Sequence, residues 1–118
     1  MKPYVEKIET EAMCAEKSWG TYTVIDVQPG SMTIKISMRA GEHMTYHMHH
    51  YREEVWTVVS GKGKAIVDDM EQLLCTGDVI TITAGCKHMV EAITALDMIE
   101  VQLGDEISVV DKIKFPMK

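Results

Sequence analysis

Apolar and polar residues alternate along most of this chain with the two-residue period of a β-strand. The clearest run is 31–39, where Met and Ile at the even positions are separated by polar residues. Runs rich in β-branched and aromatic residues predict further strands at 20–27, 55–60 and 96–103. Shorter strands are predicted at 64–67, 70–75, 79–83 and around His88. Eight or more short strands, with a single weak helical candidate at 9–17, indicate an all-β sandwich or barrel.

Turn-forming residues separate the predicted strands. A Pro-Gly pair at 29–30 ends one strand, and an Asp-Asp pair at 68–69 is the predicted tip of a hairpin.

With 118 residues and no interior linker, the chain is expected to form one domain. Residues 1–17 are more polar and are interpreted as an N-terminal arm before a domain over 18–118. The arm is either a disordered lead-in or a segment that pairs with another subunit. Because open sheet edges need covering, a homodimer is expected.

The net charge and the cysteine content indicate which partners and which compartment to expect. The net charge of −6 at pH 7 argues against a nucleic-acid partner, which requires a basic surface. Three cysteines, Cys14, Cys75 and Cys86, form no paired framework and indicate free thiols in a reducing compartment. The N-terminal sequence has no apolar segment of signal-peptide length, and no window is apolar enough to span a bilayer. We therefore expect a cytoplasmic protein with no membrane partner.

Three histidines and a glutamate are spaced as ligands of one metal ion. Side chains alternate along an extended strand, so His47 and His49 project from the same face. A chain reversal at 51–52 can bring Glu54 back to them, and His88 comes from a second patterned segment. Imidazole and carboxylate ligands suit a divalent transition metal. The sequence therefore predicts a metal site made of His47, His49, Glu54 and His88.

The spacing of these residues resembles the two motifs of the cupin superfamily. Thr83 stands in place of the family's usual Pro, and Ala92 in place of its usual Asn; neither departure removes a predicted ligand. The matching patterns are Gly41-x5-His47-x-His49-x4-Glu54-x6-Gly61 and Gly77-x5-Thr83-x-Gly85-x2-His88-x3-Ala92. The resemblance implies a single-domain double-stranded β-helix, the jelly roll of the cupins.

Four segments resemble more narrowly the type II mannose-6-phosphate isomerase cupin, the C-terminal domain of bifunctional enzymes that also contain a mannose-1-phosphate guanylyltransferase. These segments are 17–22, 48–61, 99–105 and 111–115. We expect this chain to be the cupin domain alone. Two departures bear on activity, because His47 stands where these isomerases usually carry Gln and Lys114 where they usually carry Arg.

The resemblance implies metal-assisted aldose–ketose isomerisation of a sugar phosphate. A divalent metal would polarise the carbonyl while a base moves a proton between C1 and C2. Zinc is favoured for an isomerase, with iron, manganese and nickel as alternatives. Arg52, Lys87 and Lys114 are the candidate catalytic cations, because they could hold the phosphate. No residue is assigned as the base.

Two other functions remain open. His47 shifts the predicted ligands toward the three-histidine, one-glutamate set of redox cupins such as dioxygenases and decarboxylases. The shortage of obvious bases favours instead a non-catalytic domain that binds a sugar or another small ligand. Metal identity separates the isomerase from the redox enzyme, because zinc does not change its oxidation state.

Overall fold

The computed structural model of the protein describes residues 14–105 and the backbone of 113–115. Within these ranges the chain is all-β, as the alternation predicts, and no helix there is long and apolar enough to cross a membrane. The strands are β1 (Cys14–Lys17), β2 (Gly20–Gln28), β3 (Ser31–Met38), β4 (Tyr46–Met48), β5 (Glu53–Ser60), β6 (Lys62–Val67), β7 (Met70–Cys75), β8 (Val79–Ile82), β9 (His88–Ala92), β10 (Leu96–Leu103) and β11 (Ile113–Phe115). The predicted strand bounds agree with these to within two residues.

The strands form two antiparallel sheets that face each other. The first has the order β1-β2-β3-β10-β5-β8, and the second has the order β11-β4-β9-β6-β7. Neighbours in each sheet are mostly distant in sequence, as a jelly roll requires. The apolar core lies between the sheets and draws side chains from both, for example Ile36 of β3 and Val90 of β9. The fold is therefore the double-stranded β-helix that the sequence predicts.

Strand β3 shows how the alternating pattern produces the core. Its even-numbered side chains, Met32, Ile34, Ile36 and Met38, are all buried, while the residues between them are partly or fully exposed. Burial of a Met or Ile side chain contributes about 1.5–3 kcal/mol of hydrophobic free energy. The side chains on the outer face of the same strand are partly or fully exposed to solvent.

The hairpin between β6 and β7 turns at the predicted aspartates. Asp68 and Asp69 have φ values of 48° and 66°, and Val67 pairs directly with Met70. Positive φ at both central residues defines a type I′ turn, whose twist matches that of the flanking strands, and Asp tolerates this conformation better than most residues. The predicted hairpin is confirmed.

The start of the described chain differs from the predicted weak helix. Residues Cys14–Lys17 form β1, which pairs antiparallel with β2 at the edge of the first sheet; the rest of the helical candidate lies outside the described residues. Lys17 pairs with Gly20, so Ser18 and Trp19 form a tight connection. A side chain at Gly20 would overlap the Ser37 carbonyl oxygen of β3. Glycine at this position therefore allows β2 and β3 to pair closely beside Trp19.

Strand β10 lies at the centre of the first sheet, between β3 and β5. Its inward side chains include Leu96 and Met98, followed by two polar residues, Glu100 and Gln102, which are also buried. Polar groups are rarely buried without a structural or functional use. This end of the space between the sheets is where the candidate site lies.

Candidate metal centre and cavity

Three histidines meet between the two sheets. His47 on β4 lies directly opposite His88 on β9, and His49 follows the end of β4. Their ring centroids are 4.3–5.4 Å apart, and one nitrogen of each lies within 4.8 Å of the others. All three side chains are buried. This spacing is compatible with one metal ion contacting all three rings.

Backbone carbonyls orient two of these rings. His47 Nδ1 is 2.6 Å from the Thr45 carbonyl oxygen, and His88 Nδ1 is 2.9 Å from the Cys86 carbonyl oxygen. Because a carbonyl oxygen only accepts, each Nδ1 carries a proton, and Nε2 is the ring nitrogen that remains to bind a metal. His88 Nε2 is buried and, among the residues that the structure describes, has no hydrogen-bond partner. A buried ring nitrogen of this kind fits a metal ligand.

Glu54 approaches the histidines from β5 of the opposite sheet and is only 2% exposed. Its Oε2 lies 3.0 Å from His49 Nε2, and its Oε1 lies 3.5 Å from His88 Nε2. Trp56 Nε1 donates to Oε1 at 3.0 Å, while Arg52 Nε and Nη2 donate to Oε2 at 3.0 and 2.9 Å. Burial raises the pKa of Glu54, but contacts with the two histidines and the Arg52 charge outweigh burial and hold the pKa well below its usual value. Glu54 is therefore a carboxylate at neutral pH.

Arg52 supplies the positive charge that balances this carboxylate. Its Nη2 lies 2.9 Å from both Glu54 Oε2 and His49 Nε2, so the guanidinium bridges the two side chains. A buried carboxylate without such a partner would strongly destabilise the fold. Arg52 is the predicted cation that the structure places at the site.

Glu100 is a second buried carboxyl beside Glu54, and the sequence analysis did not assign it. Gln102 Nε2 donates to Glu100 Oε2 at 2.7 Å. Burial, followed by the negative charge of Glu54, raises the pKa of Glu100 to about 8. Glu100 is therefore largely protonated at neutral pH while its neighbour is ionised. The inward position of a glutamate on an otherwise apolar strand face was the signal in the sequence.

A cavity of about 320 Å³ opens beside these residues. Its polar lining residues include His47, His49, Arg52, Glu54, Glu100 and Gln102. Its apolar lining residues are Trp19, Tyr22, Met32, Ile34, Ile36 and Met44. This volume and the mixed lining suit a small organic ligand that carries polar groups.

Of the residues that the structure describes, two cations line this cavity, the predicted Arg52 and Lys17, which was not predicted. Lys17 Nζ lies 5.6 Å from the Tyr22 ring centroid. Lys87 does not line the cavity; its Nζ lies 5.8 Å from the ring centroid of Tyr46. Adjacent strand residues project to opposite faces, so the inward position of His88 directs Lys87 outward. The backbone of Lys114 pairs with that of His47, and its side chain lies outside the described residues.

Cys86 lies near His88 in sequence, but its thiol contacts Asp68 and not the histidines. Its Sγ lies 2.9 Å from Asp68 Oδ2. This hydrogen bond, with burial as the second cause, raises the pKa of the Cys86 thiol. The protonated thiol is a poor metal ligand. Cys14, Cys75 and Cys86 are all free, with no disulfide between them.

Comparison with known proteins agrees with this fold and these residues. The family described as Mannose-6-phosphate isomerase C-terminal matches residues 6–116. The chain is 34% identical over 101 residues to a mannose-1-phosphate guanylyltransferase of Escherichia coli (strain K12), covering 84% of this chain and 21% of that protein. It is 32% identical over 124 residues to the enzyme of the same name from Salmonella typhimurium, covering 98% of this chain and 26% of that protein. The chain thus spans about a quarter or less of the length of these relatives.

Solved structures show the same fold at low sequence identity. Oxalate decarboxylase from Bacillus subtilis superimposes with a TM-score of 0.79 and 13% identity, covering 90% of this chain and 30% of that protein. At this identity the likeness concerns the fold alone. The family match extends over nearly the whole chain and includes both histidine-bearing segments. This protein belongs to the cupin family of mannose-6-phosphate isomerase C-terminal domains.

Proposed function

We propose that this protein is a metal-assisted isomerase that interconverts an aldose phosphate and a ketose phosphate, with mannose 6-phosphate as the substrate to test first. The observation that carries the proposal is that two members of the three-histidine group, His47 and His49, line a cavity that Glu100 and two cations also line. Family membership supports the same reaction, since the family is named for this isomerase.

We propose His47, His49, Glu54 and His88 as the residues that hold a divalent metal. The buried Nε2 of His88, which has no hydrogen-bond partner among the described residues, and the ionised Glu54 support this set. When bound, the metal would polarise the substrate carbonyl as a Lewis acid. Zinc is favoured for an isomerase because the reaction transfers no electrons; iron, manganese and nickel accept the same ligands.

The residues around this set have separate roles in the proposal. Glu100 is the proposed base because, among the described residues, it is the cavity carboxyl that is not a proposed metal ligand. Its ionised form takes the proton from C1 or C2, and the acid so formed returns the proton to the other carbon. Gln102 fixes the orientation of the Glu100 carboxyl through the 2.7 Å hydrogen bond. Arg52 and Lys17 are the cavity cations that attract the phosphate. The role of Lys114 as a phosphate-binding cation stays a prediction.

A redox cupin is the second candidate, because three imidazoles with one carboxylate also suit iron or manganese. If the protein is a redox cupin, replacing zinc by iron or manganese should produce activity toward a small organic acid and none toward a sugar phosphate. A binding domain without catalysis is the third candidate and predicts ligand affinity with no turnover.

A coupled assay with mannose 6-phosphate, with and without added divalent metal, tests the proposal. We expect turnover only with metal, and a decrease of about 10²–10⁴-fold in Glu100→Gln, the usual contribution of a general acid–base group. Glu53→Gln is the matched control, since Glu53 is an exposed glutamate on the outer face of β5. No turnover by the metal-loaded wild-type protein would contradict the isomerase assignment.

We further propose a cytoplasmic homodimer. The three free cysteines support a reducing compartment. Exposed apolar side chains on the outer face of the first sheet, Val59, Val79 and Leu103, support association through that face. Sedimentation of the purified chain would distinguish a dimer from a monomer.

A further inference from the structure

Gln102 is a buried amide of which only one half is used by the protein. The side chain is 3% exposed and lines the cavity. Its Nε2 donates to Glu100 Oε2 at 2.7 Å. Its Oε1 is buried and has no hydrogen-bond partner within the part of the chain that the structure describes. One end of the amide is therefore fixed, and the other is a buried acceptor without a partner among the described residues, on a side chain that lines the cavity.

The strands on either side of Gln102 provide no donor to this oxygen. Gln102 pairs with Met32 of β3 and with Glu54 of β5. Met32 has no donor group, and Glu54 is an ionised acceptor whose two oxygens already receive hydrogen bonds from Arg52 and Trp56. An unpaired buried carbonyl costs stability unless a ligand supplies a donor. The contact with Glu100 explains the Nε2 end of the amide, and a ligand explains the unpaired Oε1 end.

We propose that Gln102 Oε1 accepts a hydrogen bond from a hydroxyl group of the ligand and so determines specificity for a hydroxylated substrate. The inference rests on the proposed function, because it assigns a role within the same cavity. The hydrogen bond from Nε2 to Glu100 directs Nε2 to the carboxyl and leaves Oε1 as the end of the amide available to a ligand. The cavity thus presents an acceptor, which pairs with a sugar hydroxyl and repels the oxygen of a carboxylate or a ketone placed there.

The test measures binding of mannose 6-phosphate and its 2-deoxy, 3-deoxy and 4-deoxy analogues to the metal-loaded protein by titration calorimetry. We expect one analogue to bind the wild-type protein about tenfold more weakly than mannose 6-phosphate, as for a single lost hydrogen bond. In the Gln102→Met variant, the affinity for mannose 6-phosphate should fall about tenfold, whereas the affinity for that analogue should not change. The ratio of the two affinities then becomes about one. If Gln102 had only a structural role, its replacement would lower the affinity for every ligand by the same factor and leave the affinity ratio unchanged.

Gln102→Asn is the second variant, since it keeps the amide but withdraws its oxygen by one methylene. It should also bring the ratio toward one, which keeps the test valid if Gln102→Met does not fold. Unchanged ratios for all three analogues in either folded variant would overturn the assignment of Gln102 while leaving the isomerase proposal intact. Absence of mannose 6-phosphate binding by the wild-type protein would overturn both.

Discussion

The two neighbouring carboxyls predict an unusual dependence of stability on pH. Glu100 carries a pKa of about 8 in the folded protein, because it is buried beside the negative charge of Glu54. In the unfolded chain its pKa returns to the ordinary value of 4.5. Between these two pH values the folded state keeps a proton that the unfolded state releases. The free energy of unfolding of the metal-free protein should therefore fall as the pH rises from 4.5 to 8.

The size of this effect follows from the pKa difference. Each unit of pKa corresponds to about 1.4 kcal/mol, so the interval from 4.5 to about 8 corresponds to about 5 kcal/mol. Glu54 acts in the opposite sense, because its lowered pKa contributes stability above pH 4.5 that is lost only in more acidic solution. Between pH 5 and 8 its contribution is constant. Histidines also titrate in this range but are present in both proteins, so the difference in slope between the wild type and a Glu100→Gln variant belongs to Glu100.

Urea unfolding in the presence of a chelator, at pH values from 5 to 8, measures the effect. Relative to Glu100→Gln, the wild-type protein should lose about 4 kcal/mol of unfolding free energy across this range. Glutamine keeps an oxygen that can accept from Gln102 Nε2, so at pH 5 the two proteins should be similarly stable, and at pH 8 the variant should be the more stable. Glu53→Gln, on the exposed face of β5, should follow the wild-type curve. Parallel curves for wild type and Glu100→Gln would refute the reasoning.

Three further predictions concern the metal. His88→Ala should lower metal content sharply and remove most of the stabilisation by added metal, about 2.7 kcal/mol at a hundredfold excess over Kd, as measured by elemental analysis and thermal unfolding. His47→Gln restores the residue usual in the resembled isomerases and should keep or raise turnover of mannose 6-phosphate at saturating metal, whereas a redox cupin would lose activity with the third imidazole. Cys86→Ser should leave metal affinity unchanged, because the thiol is bonded to Asp68; a weaker affinity would place Cys86 in the site.

Much of the fold could be predicted because it depends on local patterns. The strict alternation in β3 and the turn residues between β6 and β7 determine which faces are buried and where the chain reverses. The histidines could be brought together on paper because motif spacing encodes their strand positions. The short strand β1 could not be predicted in this way, since its pairing with β2 depends on tertiary context rather than on its own residues.

The residues missed at the cavity divide into two kinds. Glu100 and Gln102 were visible in principle, because alternation from the buried Leu96 and Met98 places both on the inner face. Lys17 was not visible, because only the pairing of β1 with β2 shows that it is near the cavity. Lys87 was selected for its charge and its nearness to His88, although the same alternation directs it to the other face.

The arrangement of Glu54 and Glu100 itself bears on the choice between functions. Two adjacent buried carboxyls cannot both carry a full charge at low cost, so their surroundings must separate their pKa values. Arg52 contacts Glu54 directly and keeps it ionised, while Glu100, held by an amide, keeps its proton. A base that moves a proton between two carbons must take it as a carboxylate and return it as a carboxylic acid, which a pKa near neutrality allows. The raised pKa of Glu100 suits that role, while the ionised Glu54 suits a metal ligand.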